Sequence, residues 1–245
     1  MTRWMSSCCG RSSTSAIDQS QTIASYDTGS PEVELVLIAP IMVDAADWHE
    51  RLRCLSETVA IVDDFRNWGY TIYRTAYGPS TDQRWQQLLE KIQTQAYAAT
   101  LRVCQTIADD PAIQQVWSLF GLDARSDPAL EGLSMEQLRL LYRNGDGGVP
   151  INADFRSHRV FLLADEEVLS DADAVFIKCV QADYEAGDYV PRNTWLGGQS
   201  YFGWMPMKAA EIVELWKELE YNDLQRIAPR AIGGNHLKTW GGVAY

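Results

Sequence analysis

The sequence lacks long hydrophobic runs and the signature motifs of the common enzyme classes. Its longest strongly apolar run, residues 33–43, includes Glu34 and Pro40 and is shorter than the roughly 20 residues that span a bilayer. A phosphate loop, a Gly-x-Ser-x-Gly motif and a Gly-x-Gly-x-x-Gly motif are absent. The 3 histidines are far apart and none lies in a His-x-x-x-His pattern, which argues against structural zinc. The usual templates of hydrolases, nucleotide enzymes and dinucleotide enzymes therefore do not apply.

Basic residues are scarce relative to acidic ones. Lysine and arginine number 21 and aspartate and glutamate 33, which gives a formal net charge of −12. Because such a chain repels a phosphate backbone, and no local cluster of basic residues stands out, we expect no nucleic-acid partner and no membrane partner. With 46% hydrophobic residues among 245, the chain can bury a core without disulfides or a structural metal.

Cysteine usage indicates the compartment. The 5 cysteines are odd in number and, apart from the neighbours Cys8 and Cys9, widely separated, which is typical of a reduced intracellular protein. The N-terminal residues contain no apolar run of the kind that a secretory signal requires. We therefore expect a cytoplasmic or nuclear location. Cys8 and Cys9 are also compatible with palmitoylation, but no basic cluster beside them supplies a second membrane signal.

Composition along the chain predicts a single α+β domain between two tails. Residues 1–30 are rich in serine, threonine and glutamine and predict a disordered tail. Residues 31–225 carry the apolar periodicity of the domain. Residues 226–245 contain two glycine pairs and predict a weakly ordered C-terminal tail. We expect one mixed or antiparallel sheet with helices packed mainly on one face.

Local patterns place the elements of this domain. Segments rich in β-branched and aromatic residues predict strands at 69–77, 158–164 and 175–182, and a short one at 201–205; the second and third are expected to lie side by side. Apolar stripes at helical spacing predict helices from Ser80 to about residue 107, from Pro111, after Ser134 and after residue 206. Ser80 with Gln83 has the spacing of a capping box, and Gly121 is the expected C-cap of the helix from Pro111.

Several motifs occur in a fixed order over residues 65–220. They are Gly69-Tyr70-Thr71-Ile72-Tyr73-Arg74-Thr75 followed by Tyr77, Asp82 and Trp85, then a strand entering Asp165-Glu166-Glu167 with Leu169 after it, then Phe-Ile-Lys in a strand ending near Asp183, then Gly203-Trp204-Met205. In these motifs the chain resembles a large family of uncharacterised proteins from filamentous fungi. The resemblance implies an intracellular α+β protein and carries over no catalytic residues, because the family has no established activity. Pro206 and Gly197-Gly198 depart from the pattern.

Arg74 is the first candidate binding residue. On a strand it shares a face with Tyr70 and Ile72, so an inward Arg74 needs a carboxylate partner. Asp165 or Glu166, at the end of a predicted strand, are the expected partners. Two interpretations stay open, an ion pair that joins two strands and a guanidinium that receives the carboxylate or phosphate of a ligand.

Carboxylates and cysteines supply further candidates. The triplet Asp165-Glu166-Glu167 can hold Mg²⁺ or act as a general base, although an acidic first helical turn more often compensates the helix dipole. A nucleophile with a base, Cys104 or Cys179 with His158, also stays open, because such partners meet in space. Cys179 lies on an apolar strand, which is typical of a core residue. We expect no metal and no cofactor.

Aromatic residues are abundant, with 9 tryptophans and 11 tyrosines. The tryptophans on apolar helical stripes are expected in the core: Trp48, Trp85, Trp117 and Trp216. Trp195, Trp204 and Trp240 lie near glycine-rich loops, where we expect exposed aromatic side chains. Large rigid side chains beside loops favour a binding surface.

These patterns together favour an interaction or ligand-binding module whose partner is an unknown protein or small-molecule ligand. Such a module predicts an open apolar patch near Trp195, Tyr201 and Trp204. The alternative is an enzyme without a familiar motif, which uses carboxylates and Arg74 at strand ends. That enzyme requires an enclosed cleft in which at least two ionisable groups converge.

Overall fold

The structure, a computed structural model, describes residues 44–53, 65–170, 176–190, 198–236 and 238–242. All of them belong to one unit of the chain, Pro40–Tyr245. The predicted tail over residues 1–30 and the candidate Trp195 lie outside the described residues.

Helices and strands follow one another in an α+β order. The helices are α1 (Ala45–Arg51), α2 (Pro79–Cys104), α3 (Pro111–Ser118), α4 (Met135–Asn144), α5 (Glu166–Ser170), α6 (Ile212–Tyr221) and α7 (Leu224–Ile227). The strands are β1 (Trp68–Arg74), β2 (Phe120–Arg125), β3 (Val160–Ala164), β4 (Phe176–Gln181), β5 (Trp204–Lys208), β6 (Ala231–Ile232) and β7 (Asn235–His236). None of the helices in the described ranges is long and apolar enough to span a bilayer.

The main sheet is mixed, with five strands in the order β2-β1-β3-β4-β5. Strand β1 runs parallel to β2 and β3, while β4 runs antiparallel to both β3 and β5. The predicted pairing of segments 158–164 and 175–182 is confirmed, with Leu162 opposite Cys179. β6 and β7 form a separate hairpin.

The two faces of the sheet are covered unequally. The first face carries Tyr70, Leu162 and Cys179, and most of the helices contribute to the large cluster packed on it. The second face carries a smaller cluster, in which Leu138 and Tyr142 of α4 pack with alternate strand residues such as Tyr73, Phe161, Leu163 and Val180. The prediction of helices packed mainly on one face is confirmed.

Strand β2 was not predicted from the sequence. Helix α3 ends at Ser118 and Gly121 lies within β2, so the prediction of Gly121 as a helix C-cap is wrong. Gly121 lies opposite Gly69 in β1, and their backbones approach so closely that a Cβ at Gly69 would overlap Gly121. The segment Phe120–Arg125 therefore forms a strand because it pairs with the buried β1, although its own strand propensity is weak.

The start of α2 also differs from the sequence prediction. Helix α2 begins at Pro79 after Gly78, without a side-chain cap, so the predicted Ser80–Gln83 capping box is wrong. A capping box that was not predicted forms instead at Ser134, before α4, with Gln137 as the reciprocal partner. Pro at the first helical position is pre-organised for a helix, and the N–H that it lacks is one that has no partner inside the helix in any case.

Part of segment 226–245 packs on the sheet. Trp240 is fully buried, its N–H donates to Pro206 O at 2.8 Å and its carbonyl accepts from Lys208 N at 2.9 Å. The prediction that Trp240 is exposed is therefore wrong. Trp240 pairs with Met207 at the edge of β5. Gly234, Asn235 and His236 lie beside the second face of the sheet.

Candidate functional site

The second face of the sheet opens into a cavity of about 420 Å³ beside β4 and β5. Lys178 and Pro206 lie opposite each other in the floor, where alternate residues of the two strands point away from the large core. The lining residues are Glu167, Phe176, Lys178, Trp204, Pro206, Gly234, Asn235, His236, Lys238 and Thr239. The volume falls within the range of about 300–1,000 Å³ that is usual for small-molecule sites.

Lys178 is a buried cation in the floor of this cavity. It is only 6% exposed, and its Nζ lies 2.6 Å from Asp165 Oδ2 and 2.5 Å from Glu167 Oε2. Burial lowers the pKa of Lys178, but the hydrogen bonds and charges of Asp165 and Glu167 outweigh it and raise the pKa above its ordinary value. Lys178 is therefore positively charged at neutral pH.

The two carboxylates that hold Lys178 differ in how firmly they are held. Asp165 precedes α5, and its Oδ1 accepts a hydrogen bond from Val168 N at 3.2 Å, so the helix N-terminus anchors it. The Glu167 side chain is 67% exposed and lies at the edge of the cavity. Glu167 can therefore turn to solvent at little cost, whereas Asp165 stays in place.

Trp204 forms an aromatic wall next to Lys178. The Lys178 Nζ lies 5.3 Å from the centre of the Trp204 ring, within cation–π distance. The His236 ring meets the Trp204 ring edge-on at 4.3 Å, and neither ring nitrogen of His236 makes a hydrogen bond of good geometry. Burial lowers the pKa of His236, the backbone of Pro229 and Trp204 opposes this, and the charge of Lys178 lowers it further. The imidazole is thus neutral at pH 7.

A tight hairpin holds the rim of the cavity. Gly233 and Gly234 connect β6 to β7 with φ values of 58° and 86°. A two-residue turn with both central residues at positive φ is a type I′ turn, for which Gly-Gly is favoured. The hairpin presents Asn235 and His236 to the cavity, and the backbone bonds of Trp240 hold the segment that follows.

Arg74 lies elsewhere, at the end of β1, and does not meet Asp165 or Glu166. Its guanidinium forms an ion pair with Asp82 in the first turn of α2 and also donates to Ala76 O at 2.8 Å and Thr81 Oγ1 at 3.1 Å. The predicted pairing of Arg74 with Asp165 or Glu166 is wrong, because α2 folds back over the strand end and brings Asp82 closer. Arg74 is 4% exposed, so it does point inward and has the carboxylate partner that an inward arginine needs.

The other predicted site residues do not all lie at the cavity. Asp165 binds Lys178 behind the cavity, Trp204 lines it, and Glu166 is exposed and is not among the lining residues. Tyr201 is 2% exposed and donates to Gln181 Oε1 at 2.7 Å, so its predicted place in an open patch is wrong. A tyrosine with a satisfied hydroxyl packs in a core as readily as at a surface.

The cysteines and His158 do not form a nucleophile with its base. Cys179 is fully buried, and burial raises its pKa. Burial raises the pKa of Cys104 to about 11. The Nε2 of His158 donates to Trp216 O at 2.9 Å, and its Nδ1 accepts from Ser157 Oγ at 2.8 Å, so both nitrogens are occupied. Within the described ranges, no group of three or more potential metal ligands is arranged to hold an ion.

Sequence reasoning did not single out Lys178 or His236. Lys178 carried a usable signal, because one lysine inside the apolar run Phe176–Val180 has to find a buried partner. His236 carried none, since its place depends on how a two-residue strand docks beside β5. Comparison with models of protein families, with curated proteins and with solved structures finds no match to this chain.

Proposed function

We propose that the protein is a small-molecule-binding module and that its ligand occupies the cavity over Lys178 and Trp204. The ligand in this proposal has a planar ring, which packs on Trp204, and an anionic group, which binds Lys178. One observation carries the proposal, a buried ammonium in a cavity floor whose second counter-ion is largely exposed.

The anionic part of the proposal follows from the unequal carboxylates. A carboxylate on a ligand can take the place of Glu167 at Lys178, because Glu167 regains its hydration when it turns outward. Asp165 remains as the permanent counter-ion, so Lys178 is never left as an unpaired buried charge, which would be costly. The exchange conserves the number of charge-assisted hydrogen bonds to the ammonium.

The aromatic part follows from the cavity wall. Trp204, Phe176 and Pro206 supply apolar surface, and His236 is neutral at pH 7 and packs against Trp204. Aromatic rings stacked on such surfaces gain about 0.5–1.5 kcal/mol beyond the burial of their area. A planar ring with one negative group therefore matches both the wall and the floor.

The proposal is tested with three indole probes that share a ring and differ in charge. Indole-3-acetate is anionic, indole-3-ethanol neutral and tryptamine cationic. We expect indole-3-acetate to bind the full chain with a dissociation constant of about 1 mM, typical for about 13 non-hydrogen atoms. The neutral probe is expected to bind about tenfold more weakly and tryptamine not measurably. Ligand-observed NMR with isothermal titration calorimetry measures this order.

A variant connects the binding to the cavity. Trp204→Leu removes the aromatic wall and is expected to weaken the binding of indole-3-acetate at least fivefold. Trp117→Leu, outside the cavity, is expected to leave the dissociation constant unchanged. Both variants are checked for folding by circular dichroism. Equal binding of all three probes, or equal binding by the Trp204→Leu variant and the wild type, would reject the proposal.

Membership of the fungal family and an intracellular location are part of the same proposal. The order of the motifs supports membership, and Gly69–Arg74, Phe176–Lys178 and Trp204–Met205 fall on strands β1, β4 and β5. The odd number of cysteines and the wide spacing of most of them support the location. Catalysis is not proposed, because that alternative needs Arg74 and carboxylates to converge in an enclosed cleft, and the Arg74 guanidinium instead binds Asp82 and Ala76 O.

A further inference from the structure

A second cavity of about 550 Å³ lies where α6 and α7 meet the segment leading into β5. Five of its seven lining residues have polar or charged aliphatic side chains; the lining consists of Ser200, Tyr201, Asn222, Gln225, Arg226, Ala228 and Arg230. Two arginines therefore face one space in a chain whose formal net charge is −12.

These two arginines differ from most others in the described part of the chain. Eight arginines there pair with a carboxylate within 4.0 Å: Arg51, Arg53, Arg66, Arg74, Arg125, Arg139, Arg143 and Arg159. Among the described residues neither Arg226 nor Arg230 forms such an ion pair. Two guanidinium groups that line one cavity without a carboxylate partner among the described residues form a local centre of positive charge in an acidic chain.

The neighbouring carboxylates do not neutralise this centre. Glu218 accepts a hydrogen bond from Asn222 Nδ2 at 3.0 Å, which directs it to the end of α6. Asp223 precedes α7, and its backbone carbonyl accepts from Arg226 N at 2.9 Å; its side chain is not among those lining the cavity. The charged residues of the lining are the two arginines.

The backbone that carries the arginines is held in place. Ile227 is fully buried, Ala228 N donates to Leu224 O at 2.9 Å, and Ala231 N donates to Ser200 O at 2.9 Å. Arg226 and Arg230 thus project from a packed segment on either side of buried residues. A site whose backbone is already ordered loses less entropy when an anion binds.

We infer that this cavity binds the phosphate group of a small phosphomonoester. Two planar guanidinium groups offer paired N–H donors to the oxygens of a dianion, whereas a single carboxylate satisfies only one of them. Gln225 and Ser200 supply further hydrogen-bonding groups at the cavity wall. The site is separate from the cavity over Lys178, and the inference does not depend on the function proposed there.

The test titrates inorganic phosphate into the full chain at pH 8 and constant ionic strength, followed by NMR of the backbone amides of residues 225–231. We expect saturable shifts in this segment, and acetate is expected to bind at least fivefold more weakly than phosphate. At pH 5.5, where phosphate is a monoanion, the affinity is expected to fall about threefold or more.

Variants separate the site from general charge effects. The double variant Arg226→Gln and Arg230→Gln is expected to lose at least tenfold in phosphate affinity. Arg156→Gln, at an exposed arginine outside the cavity, removes one charge and is expected to leave the affinity unchanged. Phosphate binding that survives the double variant, or that falls equally in Arg156→Gln, would overturn the inference, as would acetate binding as tightly as phosphate.

Discussion

The ring of Tyr184 packs directly against the backbone of Gly203, so closely that a Cβ at position 203 would lie 2.6 Å from Tyr184 Cδ1. The Arg139 guanidinium lies 4.8 Å from the centre of the same ring and donates from Nη2 to Gly203 O at 3.0 Å. This contact fastens α4 to the connection that enters β5. It therefore helps to fix Trp204, the next residue, at the wall of the cavity.

Gly203→Ala is expected to destabilise the fold strongly. Gly203 has φ +74°, which disfavours alanine, and the added methyl group collides with the Tyr184 ring. Gly145→Ala is the matched control, because Gly145 has φ +72° and nothing lies within 4 Å of its would-be Cβ. We expect the free energy of unfolding in urea to fall by about 2 kcal/mol more for Gly203→Ala than for Gly145→Ala. Equal losses would show that the ring contact contributes nothing.

Arg74→Met is expected to be more destabilising than Asp82→Asn. The methionine variant removes the hydrogen bonds of Arg74 to Ala76 O and Thr81 Oγ1, and leaves a partly buried carbonyl without this donor, at a cost of about 1–3 kcal/mol. The Asp82 side chain is 63% exposed, so its neutralisation is expected to cost less than about 1 kcal/mol. Urea denaturation of both variants measures this order. A larger loss for Asp82→Asn would mean that the ion pair outweighs the backbone contact.

His158 is expected to make the fold less stable as the pH falls. Burial lowers its pKa from 6.5 to about 4, while the unfolded chain keeps the ordinary value. Protonation of the unfolded state therefore costs stability from about pH 6.5 downwards, until the folded form also titrates near pH 4. Between pH 8 and pH 5 the loss assigned to this one group is about 2 kcal/mol. Urea denaturation at pH 8 and pH 5 measures the fall in the free energy of unfolding, which is expected to be smaller by that amount in His158→Gln than in the wild type. An equal fall in both proteins would exclude His158 as the cause.

Buried strands could be predicted from the sequence, and an edge strand could not. β1 is recognisable because every residue of Trp68–Arg74 is buried and the segment is rich in aromatic and β-branched side chains. β2 contains glycine, aspartate and arginine, and it is a strand because it pairs with β1 along Trp68–Tyr73. Thr71 donates to Asp123 Oδ2 at 3.0 Å, which gives that polar residue a partner. Such long-range pairing leaves no local pattern.

The candidate site was predictable only in fragments. Trp204 and Asp165 could be named from their place beside a loop and at a strand end. Their relation to Lys178 could not, because it depends on the register of β4 against β3 and β5. Trp240 shows the limit of loop composition as a guide, since a tryptophan near a Gly-Gly pair is fully buried.

The exchange of Glu167 for a ligand anion at Lys178 is tested most directly by titrating indole-3-acetate into the wild type and three variants. Glu167→Gln removes the competing carboxylate and is expected to tighten binding about threefold. Glu166→Gln, at the exposed neighbouring position outside the cavity, makes the same change of charge and is expected to alter it little. Lys178→Met is expected to weaken binding at least tenfold. Equal effects of Glu167→Gln and Glu166→Gln, or unchanged binding in Lys178→Met, would contradict the account.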